Sequence, residues 1–189
     1  MLSIYIDFKS PSAYLAFKPT LELIDTYKLS TRWLPFPVKQ SAIAKKHENE
    51  TKGETHRRVR AEQRQQMHKM YAALSNTNMH FPEQPGNSDL ALTVLANLSV
   101  DPVSYIARVF SAYWIEGQDI NDVAVIEQIL EESNIDFTSD LLLADSLNKD
   151  IDEAKEKGIY DVPVYILAEQ LFLGRENMPW LRELAAKPA

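Results

Sequence analysis

The chain has 189 residues, 45% of them hydrophobic and 25% charged, with a net charge of −7 and no cysteine. That balance is ordinary for a soluble globular protein with one sizeable core. It excludes structural disulfides and any disulfide exchange by a thiol of the chain's own, and no stretch approaches the roughly 20 apolar residues that span a bilayer. From the N-terminus, Leu2 to Phe8 reads as a buried strand. Asp7 interrupts this apolar start and no basic residues precede it, so it does not read as a signal peptide. With the lack of cysteine, this gives the expectation of a cytoplasmic protein.

Ser10 is a good N-cap, Pro11 fits the first helical position, and apolar residues recur at helical spacing from Tyr14 to about Tyr27. A second strand follows from Ser30 to Phe36. The tight spacing predicts a βαβ unit with a parallel pair. Residues 38–149 contain no convincing strand and read as helices: Thr55 to Leu74, Ser88 to Leu98, one opening at Asp101-Pro102 and stopping near Gly117, and two more after Asn121-Asp122 and Thr138-Ser139. Mixed structure returns after 150. A Lys/Glu-rich helix closes at Gly158, strands are expected near 164–168 and 170–173, and a last helix from about Glu176.

The charge is unevenly spread. Residues 45–69 hold eight of the 20 Lys and Arg against four Glu, a local +4 that leaves −11 elsewhere. The acidic remainder and the single nearby aromatic, Tyr71, exclude a nucleic-acid surface. The segment reads as a solvated helix face or as a place to receive a small carboxylate. The four histidines (His47, His56, His68, His80) are never three or four apart, so they read as surface residues and no metal site is expected. No Ser-His-Asp set, glycine-rich phosphate loop or paired carboxylate stands out. Trp114 reads as core.

Four stretches carry a resemblance to one family. Ile4-Tyr5-Ile6-Asp7-Phe8-Lys9-Ser10-Pro11-Ser12-Ala13-Tyr14-Leu15-Ala16 is similar to an opening "FYFDFxSPxSYLA". Tyr113 to Ile120 is similar to "WxEGxDI", Tyr160 to Val164 to "VFGVPTF", and Leu171 to Met178 to "LFFGxDRL". In order and spacing they resemble the 2-hydroxychromene-2-carboxylate isomerases and kappa-class glutathione transferases, within the DsbA-like branch of the thioredoxin superfamily. The Ser10-Pro11-Ser12-Ala13 tetrapeptide stands where thioredoxin-like proteins carry Cys-x-x-Cys.

The resemblance implies an α/β fold. A thioredoxin-like sheet would come from residues 1–37 and 150–189, interrupted by an all-helical insertion at 38–149. It implies a cytoplasmic, glutathione-dependent isomerase of a small aromatic carboxylate, with no membrane partner and a homodimer as an open assembly. Ser10 would contact the thiolate of bound glutathione. Pro163 would follow a cis bond, leaving the backbone N–H and C=O of Val162 free to dock the ligand's backbone, as an added strand would. Asn49 and Arg58 match a glutathione-binding pair by their nine-residue spacing, with Arg60 equally usable, and Arg175 and Glu176 would hold the γ-glutamyl end. Asp161 replaces the family's glycine, and Arg175 is larger than the usual residue. The alternatives are a kappa-type transferase using the same site and a cysteine-free, non-catalytic binding module.

Overall fold

A computed structural model describes residues 1–187; Pro188 and Ala189, the end of the expected second sheet segment, lie outside the described residues. Four strands form one mixed sheet in the order β2-β1-β3-β4: β1 (Leu2–Ile6), β2 (Thr31–Pro35), β3 (Val164–Leu167) and β4 (Gln170–Leu173). β1 and β2 are parallel, with Leu2 opposite Thr31 and Ile6 opposite Pro35. They are joined by α1 (Pro11–Tyr27), the expected βαβ unit. β3 runs antiparallel to β1, with Ile4 opposite Tyr165. The β3–β4 hairpin turns at Ala168 and Glu169, both at positive φ. The primed turn that suits a twisted hairpin is thus built without a glycine.

Between β2 and β3, every regular element among the described residues is helical: α2 (Lys52–Leu74), α3 (Asp89–Asn97), α4 (Val103–Trp114), α5 (Val123–Glu132), a 3-10 turn (Ser139–Leu142) and α6 (Asp145–Glu156). The last expected helix begins later than read. A 3-10 turn, Arg175–Asn177, precedes α7 (Met178–Ala185), because Pro179 is a first-turn residue of α7. α2 starts three residues earlier than expected, since Thr51 and Glu54 form a reciprocal capping box. α6 straddles residue 150, so no break in the chain marks that boundary.

An aromatic cluster locks α1 and α4 onto the sheet. Phe8 meets Phe110 at 5.3 Å, Phe110 meets Tyr14 and Phe17, and Phe17 meets Trp33 of β2 at 5.7 Å. Trp114 is buried as expected, and its indole N–H donates to the Phe8 carbonyl at 2.8 Å. The helical layer thereby grips the turn that delivers Ser10. No helix among the described residues is long and apolar enough to cross a membrane.

Candidate active site at the start of helix α1

The β1–α1 turn is braced by a buried polar network that the sequence reading passed over. Asp7 is fully buried, and its carboxylate accepts from the Ser88 hydroxyl at 2.6 Å, from Val38 N–H at 2.8 Å and from Lys9 N–H at 3.2 Å. Lys9 Nζ lies 3.3 Å from the same carboxylate and donates to Ser88 Oγ at 3.0 Å. Burial pushes the Asp7 carboxyl above its ordinary value, against the pull of Lys9 and these donors. Ser88 precedes α3 but makes no side-chain capping bond to it; its hydroxyl is turned into the network instead.

Ser10 sits at the N-cap of α1 in extended conformation, 3% exposed. Its Oγ accepts from Ala13 N–H at 3.3 Å and donates, at a long 3.5 Å, to the Val162 carbonyl. The Val162–Pro163 bond is cis, as expected. One part of the expectation is corrected. The backbone groups of Val162 are not free, because its N–H donates to Asp161 Oδ1 at 2.9 Å while its carbonyl faces Ser10. The short Asp161 side chain folds back onto the next amide, where the family's glycine would have no side chain to do so.

Arg175 and Glu176 arrive beside the cis proline because Gly174 N–H donates to the Pro163 carbonyl at 2.8 Å. Gly174 has φ +85° and ψ 163°, a backbone region open essentially to glycine alone, and the Glu176 carboxylate folds over its bare Cα. The Arg175 guanidinium stacks 4.6 Å from the Tyr71 ring centroid. Its Nη1 is buried and has no hydrogen-bond partner among the described residues. A buried guanidinium nitrogen without an acceptor is an open seat for an anion.

Two expected binding residues are placed differently. All three guanidinium nitrogens of Arg58 donate to carboxylates of its own segment: Nε and Nη2 to Glu50 at 2.7 and 2.9 Å, and Nη1 to Glu62 at 2.9 Å. The pairing holds Glu50 down at about 2 and raises Arg58. Arg58 thus clamps the loop before α2 to the helix, and Asn49 is exposed in that loop. The nine-residue spacing could not reveal this, because Glu50 lies beside Asn49 and takes the fork itself.

His68 overturns the surface reading of the histidines. It is 6% exposed on α2, and its Nε2 lies 3.0 Å from Ser12 Oγ. Burial and Arg64 push its pKa down to about 4, with Asp161 pulling the other way. The ring is therefore neutral at pH 7. His47, His56 and His80 are exposed as read. Ser10, Ser12, His68, Tyr71, Asp161, Val162 and Arg175 thus gather at one end of α1. A cleft of about 690 Å³ lies elsewhere, beside the C-terminal half of α1 and lined by Ile24, Trp33, Leu95, Val100 and Asp150. It holds none of these residues.

A strand–helix turn with a hydroxyl cap facing a cis proline from across the sheet is a thioredoxin-type arrangement. The sequence matches the DSBA-like thioredoxin domain over residues 1–186. The chain belongs to the DsbA-like thioredoxin family. Among solved structures, this family member is similar to 2-hydroxychromene-2-carboxylate isomerase, with a TM-score of 0.77 and 20% identity over 96% of this chain and 92% of that one. It is also similar to a probable DsbA oxidoreductase from Streptomyces coelicolor, with a TM-score of 0.72 and 12% identity over 96% and 86% of the two chains. The cytosolic disulfide reductase DsbM from Pseudomonas aeruginosa, solved with GSH, gives a TM-score of 0.58 and 15% identity over 98% and 95%. A search of curated proteins gave no match. This DsbA-like chain has serine, not cysteine, at the start of α1 and no cysteine anywhere.

Proposed function

We propose that the chain is a glutathione-dependent isomerase acting on a small aromatic, enone-like carboxylate in the cytoplasm, as a homodimer. The observation that carries this reading is a thioredoxin-type site that is intact in geometry but lacks a thiol: the Ser10 cap opposite cis Pro163, beside an Arg175 nitrogen with no acceptor. The isomerase and GSH-bound neighbours support it. Bound glutathione would supply the nucleophilic thiol for reversible addition to a double bond, which lets the substrate rotate and re-form.

The chain's own residues divide the remaining work. Ser10 turns its weak bond away from Val162 and donates to the sulfur, and the first-turn N–H groups of α1 favour negative charge there. Arg175 takes a carboxylate with its free nitrogen, and the exposed Glu176 takes the ammonium. Val162 offers its N–H and C=O to the ligand's backbone once Asp161 lets go. Arg58 is left out of the proposed site because its guanidinium is already engaged.

That engagement of Val162 by Asp161 also favours a second reading, a non-catalytic binding module with its docking edge closed. A thermal shift separates the two. Glutathione at a hundred times its Kd should add about 2.7 kcal/mol of stability, with isomerisation of the chromene carboxylate in the same preparation. No shift would leave the binding module. Release of a glutathione conjugate would instead indicate a kappa-type transferase. Asp161→Gly tests the closed edge directly. By freeing the Val162 N–H and removing a negative charge it should tighten glutathione binding by about tenfold, the scale of one charge-assisted contact, as measured by calorimetry. Unchanged or weaker binding would remove Val162 from the site.

A further inference from the structure

α2 turns a polar wall toward the start of α1. Of its twenty-three residues only His68 and Ala72 are buried, and the one buried ionisable ring is aimed at Ser12, 3.0 Å away. Packing alone would be served better by an apolar side chain, since an imidazole taken out of water costs more than a hydrocarbon. Each neighbouring element presents one group to this ring. α1 brings the uncharged Ser12, α2 brings Arg64, which opposes protonation, and the turn before β3 brings Asp161, which favours it. One turn further along α2, Tyr71 carries the Arg175 guanidinium. The ring is neutral in this balance, and a new negative charge at the first turn of α1 would tip it.

The Ser10 hydroxyl, two residues earlier, cannot serve in the same way. It accepts from Ala13 N–H and reaches the Val162 carbonyl only by a long bond, and no side-chain base among the described residues bonds to it. Ser12 has a base in direct contact.

We infer that Ser12 and His68 form the proton acceptor of this site: a thiol seated at the first turn of α1 gives its proton to Ser12 Oγ as Ser12 gives its own to His68 Nε2. The inference rests on the glutathione reading and adds the base to it. The thiol's S–H bond breaks and an O–H bond forms on Ser12. The former Ser12 proton ends on Nε2, leaving a thiolate and an imidazolium. No electrons are gained or lost, so no oxidant or reductant enters. The thiolate lies against the α1 N–H groups and the imidazolium against Asp161, and the reverse transfer returns the proton when the ligand leaves. His68 acts through Ser12 and is a positioning residue that holds the proton.

The test follows the His68 ring by NMR in isotopically labelled protein at pH 7, with three samples: free, with glutathione, and with S-methylglutathione, which lacks only the thiol proton. His68 should be neutral in the first and third and imidazolium in the second. In Ser12→Ala with glutathione it should stay neutral. In His68→Gln, the pH at which bound thiolate absorbance appears should rise by about one unit or more; if that variant does not fold, Ser12→Ala gives the same absorbance readout. A neutral His68 in the glutathione-bound protein overturns this inference and leaves the glutathione reading standing. An imidazolium with both ligands also overturns it, because the carboxylates and not the thiol would then set the charge. Failure of both ligands to bind, by thermal shift, overturns the inference together with the reading beneath it.

Discussion

Ser10→Ala is expected to lower turnover at neutral pH by about one to two orders of magnitude, the scale of losing one donor aimed at a developing anion. The fold should survive. The variant loses the Ala13 cap at 3.3 Å, which costs about 1 kcal/mol, and the 3.5 Å bond to Val162 is too long to add much. The charge-assisted donor to the thiolate goes with it, so the pH midpoint of bound thiolate should rise as the rate falls. Initial rates and thiolate absorbance against pH, taken on the same preparations, check both halves. A slower enzyme with an unmoved midpoint would assign Ser10 to positioning, and no change in either would reduce it to a helix cap.

The second large effect is on stability against pH. His68 is neutral in the folded protein down to about 4, whereas in the unfolded chain it titrates near its ordinary value of about 6.5. Between those values the unfolded state binds a proton that the folded state does not. Stability therefore falls as pH drops through this window, by roughly 3 kcal/mol at most from this residue. Asp7 works in the opposite sense, since its raised carboxyl takes up a proton more readily in the fold than out of it. Subtracting the His68→Gln denaturation curves from those of the parent isolates the histidine. The difference should fall steadily from pH 7 to pH 4, and a constant difference would mean that His68 titrates alike in the folded and unfolded chain.

Local rules carried the sequence reading where the residues concerned are neighbours. Ser10-Pro11 announces a helix start by itself, and the spacing from Tyr14 onward is helical; both stand as read. The βαβ unit and the strand-free interval were legible for the same reason, each element carrying its own pattern. Pro163 needed the family resemblance as well, since a strand-opening proline is no sign of a cis bond. The contacts that matter chemically at this site were out of reach. Ser12 and His68 are 56 residues apart, and His68 sits in a charged helix whose two buried residues, at i and i+4, leave no apolar stripe to read. Nothing local marks Lys9 and Ser88 as buried, because the carboxylate that justifies burying them, Asp7, lies in a different element from Ser88. Arg58 is a different case. Its spacing from Asn49 matches the family pattern, but Glu50 and Glu62, eight and four residues away, hold its guanidinium in ion pairs.

The wall that α2 builds differs in kind from the one opposite. α4 buries Tyr105, Ile106, Val109, Phe110, Tyr113 and Trp114, side chains whose exposure to water would be heavily penalised, while α2 is held on its inner face chiefly by an imidazole, a hydroxyl and a stacked guanidinium. Polar groups of that sort recover most of what they lose by bonding to water when they part. The two helices therefore belong to different levels of the local-unfolding hierarchy. Amides along α2 should exchange with solvent through openings that leave α4 and the sheet fully protected, and a bound anion that bridges Arg175 and the first turn of α1 should slow them selectively.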